Sequence, residues 1–313
     1  MKKKCILFIF FLSALHALRA QPGDTLYSFR ILPDVTVTID RTITSFHSNK
    51  TFILVFYALP NGNTTAQTMG KRIQPGDDWH YDIQHVRAQT DFVRRQLPNR
   101  NVVVAYVEND YKSWPAWKQK HPQYGDTLTF IVDSIATLFH RPVIYLNGHS
   151  GGGSFIFGYL KGVREIPSKL RRISFIDSDY GYDSTYTDQL HEWLKNRRHY
   201  LTVFAYNDSV ALYNGKPLVS ATGGTWYRSH LMLKHFSAWY RFRTEENDSM
   251  VIVKSRNNRI QFFFKLNPER KIFHTQQVAL NGFIHSLLCG TRNDSNGYLY
   301  YGSRAYTSLI KDQ

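Results

Sequence analysis

The sequence predicts an α/β protein, with a mostly parallel central sheet and helices on both of its faces. Three observations predict it. Short apolar runs at residues 52–57, 102–107, 143–146, 172–176, 201–206 and 260–264 show little polar alternation, which marks strands buried on both faces. Stretches with apolar residues three and four apart stand between several of these runs. The runs end in loops of glycine, asparagine and aspartate, as the turns of such a sheet require. No repeat, low-complexity tract or linker breaks the pattern, so one domain is expected over residues 21–313.

In chain order, Val35, Val37 and Ile39 alternate with threonines, and residues 42–46 alternate again, predicting a leading antiparallel pair. The strand at 52–57 ends in the turn-rich Leu59-Pro60-Asn61-Gly62-Asn63. Residues 82–93 have helical spacing, with Pro98 closing the segment before the strand at 102–107. An aromatic loop carrying Trp114 and Trp117 follows, then a helix over 127–139. The strand at 172–176 ends at Asp177, and the one at 201–206 ends at Asn207-Asp208. Asn214-Gly215 predicts a hairpin tip, and residues 223–226 a glycine loop. After the strand at 260–264 come His274 and, in a further loop, His285.

Chemistry concentrates between Pro142 and Gly158. Here an apolar strand meets Gly148-His149-Ser150-Gly151-Gly152, and Phe155, Ile156, Phe157, Tyr159 and Leu160 follow as a helix. Gly-x-Ser-x-Gly at a strand-to-helix turn is how a serine nucleophile is held proud of a sheet. The flanking glycines let strand and helix approach without a Cβ clash. The Gly151 amide opens the new helix and points to where an oxyanion would form. No Gly-Lys-Ser/Thr follows, which excludes a Walker loop, and Gly-x-Gly-x-x-Gly cannot be laid over the turn.

Composition narrows the class. Aromatics make up 15% of the chain, which excludes a disordered protein. Lys2, Lys3 and Lys4 precede an apolar stretch over residues 5–18, and Ala20 is a plausible last residue of an export signal over residues 1–20. The stretch is short of the ~20 residues a spanning helix needs, so a secreted or periplasmic protein without stable membrane insertion is expected. Cys5 leaves with the signal, and Cys289 reads as a small buried hydrophobe. Of the net charge of +15, Lys2, Lys3, Lys4 and Arg19 carry four, leaving +11. Because the basic residues are scattered, nucleic acid is not an expected partner. No cofactor or metal is expected. His191-Glu192 lacks the second histidine of a zinc motif, and His80 and His85 stand five apart, off one helix face. Five Asn-x-Ser/Thr sites, at Asn49, Asn63, Asn207, Asn247 and Asn293, read as compositional.

These residues resemble the α/β-hydrolase superfamily over roughly residues 51–290, anchored on the elbow at 148–152. The resemblance implies that fold and a triad in the chain order serine, acid, histidine. Ser150 would be the nucleophile and His285 the base, with His274 the alternative. Asp208 would be the acid, with Asp177 the alternative one strand earlier. Gly62 or Asn63 would supply the second oxyanion amide beside Gly151, although the loop lacks the His-Gly-Gly-Gly of many esterases. Trp114, Trp117, Tyr180, Tyr182, Trp226 and Tyr227 fall after strand ends, where ligands bind open α/β sheets; Trp114, Trp117, Tyr180 and Trp226 are the candidate substrate contacts. The expectation is a secreted serine hydrolase that cleaves an acyl ester through an acyl-enzyme, on a small-molecule, glycan or peptide substrate. Amide or peptide cleavage by the same triad, and a non-catalytic glycan-binding envelope protein, are the alternatives.

Overall fold

The computed structural model describes residues 26–42 and 50–312. The expected export signal lies outside them. Among the described residues twelve strands form: β1 (Leu26–Leu32), β2 (Val35–Asp40), β3 (Thr51–Ala58), β4 (Arg100–Asn109), β5 (Val143–His149), β6 (Leu170–Ile176), β7 (Tyr200–Tyr206), β8 (Leu212–Tyr213), β9 (Lys216–Pro217), β10 (Phe242–Glu246), β11 (Met250–Ser255) and β12 (Ile260–Lys265). Ten of them make one sheet in the order β1-β2-β4-β3-β5-β6-β7-β12-β11-β10. The run from β4 to β12 in that order is parallel throughout, and the pairs at both flanks are antiparallel. The mostly parallel sheet expected from the apolar runs is therefore present.

Nine α-helices lie among the described residues: α1 (Thr65–Met69), α2 (Val86–Gln96), α3 (Trp114–Lys120), α4 (Tyr124–Ala136), α5 (Gly153–Gly162), α6 (Thr187–Leu194), α7 (Thr225–Phe236), α8 (Gln276–Ala279) and α9 (Gly282–Leu288). Alternation along the strands splits the core in two. Phe52, Leu54 and Phe56 of β3 pack with α3, α4, α5, α6 and α7, while Ile53, Val55 and Tyr57 pack with α2, α8 and α9. Because both faces are covered, every residue of β3 after Thr51 is buried, which is why the run reads as continuously apolar. No helix among the described residues is long and apolar enough to cross a membrane.

Several expectations are corrected. The leading antiparallel pair exists, but β2 pairs with β1 upstream, in register Tyr27 to Ile39. The expected partner at 42–46 lies, beyond Thr42, outside the described residues. The aromatic loop at Trp114 is helix α3, capped by the Ser113 hydroxyl on the Ala116 amide with Pro115 in the first turn. The glycine loop at 223–226 is the start of α7, with Gly224 as N-cap. The loop expected to carry His285 is helix α9. Strands β10 and β11 add to the expected sheet: β10 is a mostly exposed edge, Phe242-Arg243-Thr244-Glu245-Glu246, with no apolar run to mark it, whereas β11 carries the run Met250-Val251-Ile252-Val253. The tip at Asn214-Gly215 is borne out, with both residues at positive φ between β8 and β9.

Candidate active site

The turn after β5 is built by close approach. Ser150 sits at φ +54°, a left-handed conformation unusual for a residue with a side chain, and leads through Gly151 and Gly152 into α5. A Cβ on Gly152 would collide with the Ala58 carbonyl at the end of β3, and one on Gly153 with the Ser178 carbonyl after β6. These glycines hold the serine turn between its two neighbouring strands. Gly153→Ala is expected to destabilise the fold by about 3 kcal/mol, since the backbone on both sides must give way. Thermal melting of the variant reads this directly; an unchanged midpoint would contradict the contact.

One strand along, Asp177 follows β6 and also has positive φ, +46°. Parallel pairing sets His149 opposite Ile176, so Ser150 and Asp177 leave neighbouring strands at the same edge. The Asp177 carboxylate is fully buried, and its Oδ2 lies 2.5 Å from Nδ1 of His274, whose side chain is partly exposed. His274 arrives on the segment between β12 and α8. The His149 Nε2 donates to the His274 carbonyl at 3.2 Å, and the two rings lie 4.5 Å apart. Burial, and then the nearby His274, push the His149 imidazole well below its ordinary range, so it supports this segment as a neutral ring.

The structure thus pairs His274 with Asp177 and gives His285 and Asp208 other surroundings. His285 lies in α9 beneath the sheet, enclosed by Phe204, Phe263 and Tyr300. Its Nδ1 meets the Tyr298 hydroxyl at 2.9 Å, and its buried Nε2 has no partner. Burial holds this imidazole down at about 4, against an ordinary 6.5. A depressed histidine stays neutral in the fold and binds its proton only when the chain unfolds. Its contribution to stability is therefore lost as pH falls from 6.5 toward 4. His285→Gln should shrink the loss of stability between pH 7 and pH 5 by about 2 kcal/mol in urea titrations. An equal loss in both proteins would contradict the buried neutral histidine.

Asp208 instead caps α7: its Oδ2 accepts from the Thr225 amide at 2.8 Å and its Oδ1 from the Trp226 amide at 3.3 Å. Burial, and then the Asp177 carboxylate, raise it to about 6. Both oxygens are committed to the helix terminus, which leaves His274 to Asp177.

In the loop expected to supply the second oxyanion amide, both candidate amides have backbone partners. The Gly62 amide donates to the Lys112 carbonyl at 2.8 Å, and the Asn63 amide makes a long 3.5 Å turn bond to Pro60. Asn63 is itself buried. It is Asn61, exposed on the same loop, whose side chain lies against Gly151: a Cβ there would collide with the Asn61 amide group. Of the aromatic candidates, Trp114, Trp117 and Tyr182 are core residues, with the first two packing edge to face on each other and Trp114 likewise on Phe155. Trp226 is half-buried against Phe264. Tyr180 remains at the edge, its phenol pushed up by burial and by the carboxylates of Asp177 and Asp208. A groove of about 530 Å³ that sequence reading missed begins at Thr275, next to His274, between Ile73, Trp79, Ile83 and Leu280. No group of three or more metal-ligating side chains occurs among the described residues.

No protein-family model matches the chain, and no curated protein matches it. Solved structures do. A thermostable esterase is 12% identical with a TM-score of 0.49, over 85% of this chain and 63% of its own, so the chain spans less than two thirds of that protein. A feruloyl esterase module from Clostridium thermocellum is 11% identical with a TM-score of 0.48, over 86% of this chain and 90% of its own. A siderophore hydrolase from Aspergillus nidulans is 10% identical with a TM-score of 0.46, over 88% and 98%. The strand pairing and the serine turn carry the assignment of architecture: a mostly parallel sheet, helices on both faces, and a strained serine between β5 and α5. The fold is that of the α/β-hydrolases. In this α/β-hydrolase sheet the edge at the ends of β5 and β6 gathers Ser150, Asp177 and His274, and His149 and Asn61 join them unforeseen. The signal for His149 was its place inside the glycine-serine motif, and that for Asn61 its place in the loop expected to supply the second oxyanion amide.

Proposed function

We propose that the protein is a secreted serine hydrolase that cleaves acyl esters, with Ser150 as nucleophile, His274 as base and Asp177 as the acid that orients it. One observation carries the reading: the buried Asp177 carboxylate holds Nδ1 of His274 at the strand edge where Ser150 stands in its strained turn. A histidine whose Nδ1–H is fixed on a carboxylate turns a basic Nε2 outward, the tautomer a serine needs. The serine oxygen would attack the acyl carbonyl and pass its proton to Nε2. That proton would then leave with the departing alcohol, and water would release the acyl group by the same route. Charge on the carbonyl oxygen would be met by the Gly151 amide together with the Asn61 loop. The groove bounded by Ile73 and Trp79 offers space for one arm of the ester. Export is supported by the basic residues and apolar stretch at the N-terminus.

The test is hydrolysis of p-nitrophenyl acetate by the purified protein beside Ser150→Ala. Turnover by the wild type and its loss in the variant is the expected result. Equal background rates from both would overturn the assignment.

A further inference from the structure

Beyond the three residues of the proposed triad, and resting on that reading, we propose that Thr225 is a positioning residue: its hydroxyl fixes the Asp177 carboxylate, and through it the His274 ring. Asp177 is fully buried and has two oxygens to satisfy. Oδ2 takes His274 Nδ1, and Oδ1 takes the hydroxyl of Thr225 in a close contact. Without that second donor the carboxylate would be free to rotate about its terminal torsion, which is broad and two-fold. It would also keep an unsatisfied buried oxygen.

A hydroxyl has one proton to give, and here two carboxylates compete for it. Oδ2 of Asp208 is 3.3 Å from the same Thr225 oxygen. Asp208 already accepts from the Thr225 and Trp226 backbone amides, so the hydroxyl proton is released to Asp177. Those amide bonds also pin the Thr225 backbone, and the approach is tight: a Cβ on Gly224 would collide with the Asp208 carboxylate. One helical turn on, Ser229 donates to Oδ2 of the buried Asp179 at 2.8 Å. Residues i and i+4 of α7 therefore meet residues i and i+2 of the segment after β6, hydroxyl to carboxylate at both places. Two such bonds set the register of α7 on that segment, and Thr225 is the one that reaches the acid holding His274.

The experiment is steady-state hydrolysis of p-nitrophenyl acetate by Thr225→Val, Thr225→Ala and Thr225→Ser, beside the wild type and Ser150→Ala. Losing a hydrogen bond to a carboxylate predicts a kcat about ten- to a hundredfold lower for the Val and Ala variants, with KM unchanged. The Ser variant should return kcat to within a few-fold of wild type. The downfield proton resonance of the His274 Nδ1–H should be sharp in wild type and Ser and broadened in Val and Ala, a readout independent of turnover. Wild-type kcat in the Val and Ala variants, or a loss that Ser does not rescue, overturns the inference and leaves the hydrolase reading standing. A wild type no faster than Ser150→Ala sinks both.

Discussion

His274→Ala is expected to lower kcat for ester hydrolysis by roughly 10⁴- to 10⁶-fold, while His285→Gln stays within a few-fold of wild type. The two histidines follow the same last strand, β12, and differ in what surrounds them. His274 keeps a partly exposed ring with one nitrogen on a buried carboxylate, so the other nitrogen can exchange a proton with a substrate-side oxygen. His285 has a Tyr298 hydroxyl at one nitrogen and aromatic rings around the rest. Held at about 4 by burial, it is too weak a base to take a serine proton near neutral pH, and a substrate cannot reach it. Burst and steady-state kinetics on an activated ester separate the two variants. An inactive His285→Gln protein that still folds, beside an active His274→Ala, would reverse the assignment.

Asp177→Asn should lower kcat by about 10⁴-fold with little change in KM. The substitution leaves a side chain of the same shape, but its amide can present N–H toward His274 and favour the wrong tautomer. Asp208→Asn should cost less than tenfold, because Asp208 contacts backbone amides of α7 and not the histidine. Its effect is expected in stability: with an NH2 in place of one oxygen, one of the two α7 amides loses its acceptor, at about 1 kcal/mol. Measuring kcat, KM and thermal midpoint for both variants separates an acid that orients a base from one that caps a helix. A large kcat loss in the Asp208 variant alone would exchange their roles.

How much of this was legible in the sequence follows from the range of the forces involved. The parallel strands and the serine turn are local patterns: a strand buried on both faces must be apolar throughout, and a turn this tight must be glycine-rich. The place of Ser150 and Gly151 at a tight turn between a buried strand and a helix could therefore be read directly. The choice between His274 and His285 is not local, since both follow β12. A signal was nonetheless there, because Phe283, Ile284, Leu287 and Leu288 around His285 have the spacing of a buried helix. The Ser113 cap with Pro115 likewise announced that Trp114 and Trp117 lie in a helix, and helix aromatics beside a sheet are core. Asp177 and Asp208 could not be told apart from the chain alone. Each ends a strand, and what separates them is the start of α7, which brings the Thr225 and Trp226 amides to Asp208 from seventeen and eighteen residues away. The departure of Gly62 from its expected role has the same origin: the Lys112 carbonyl that takes its amide comes from a distant loop.

The central claim is that Ser150 is an activated nucleophile, and its most direct test is mass spectrometry of the folded protein after treatment with a fluorophosphonate. The account predicts a single adduct, mapped to the peptide containing Ser150 and absent from both Ser150→Ala and His274→Ala. A folded wild type that takes up no probe, or one labelled at another residue, would contradict it.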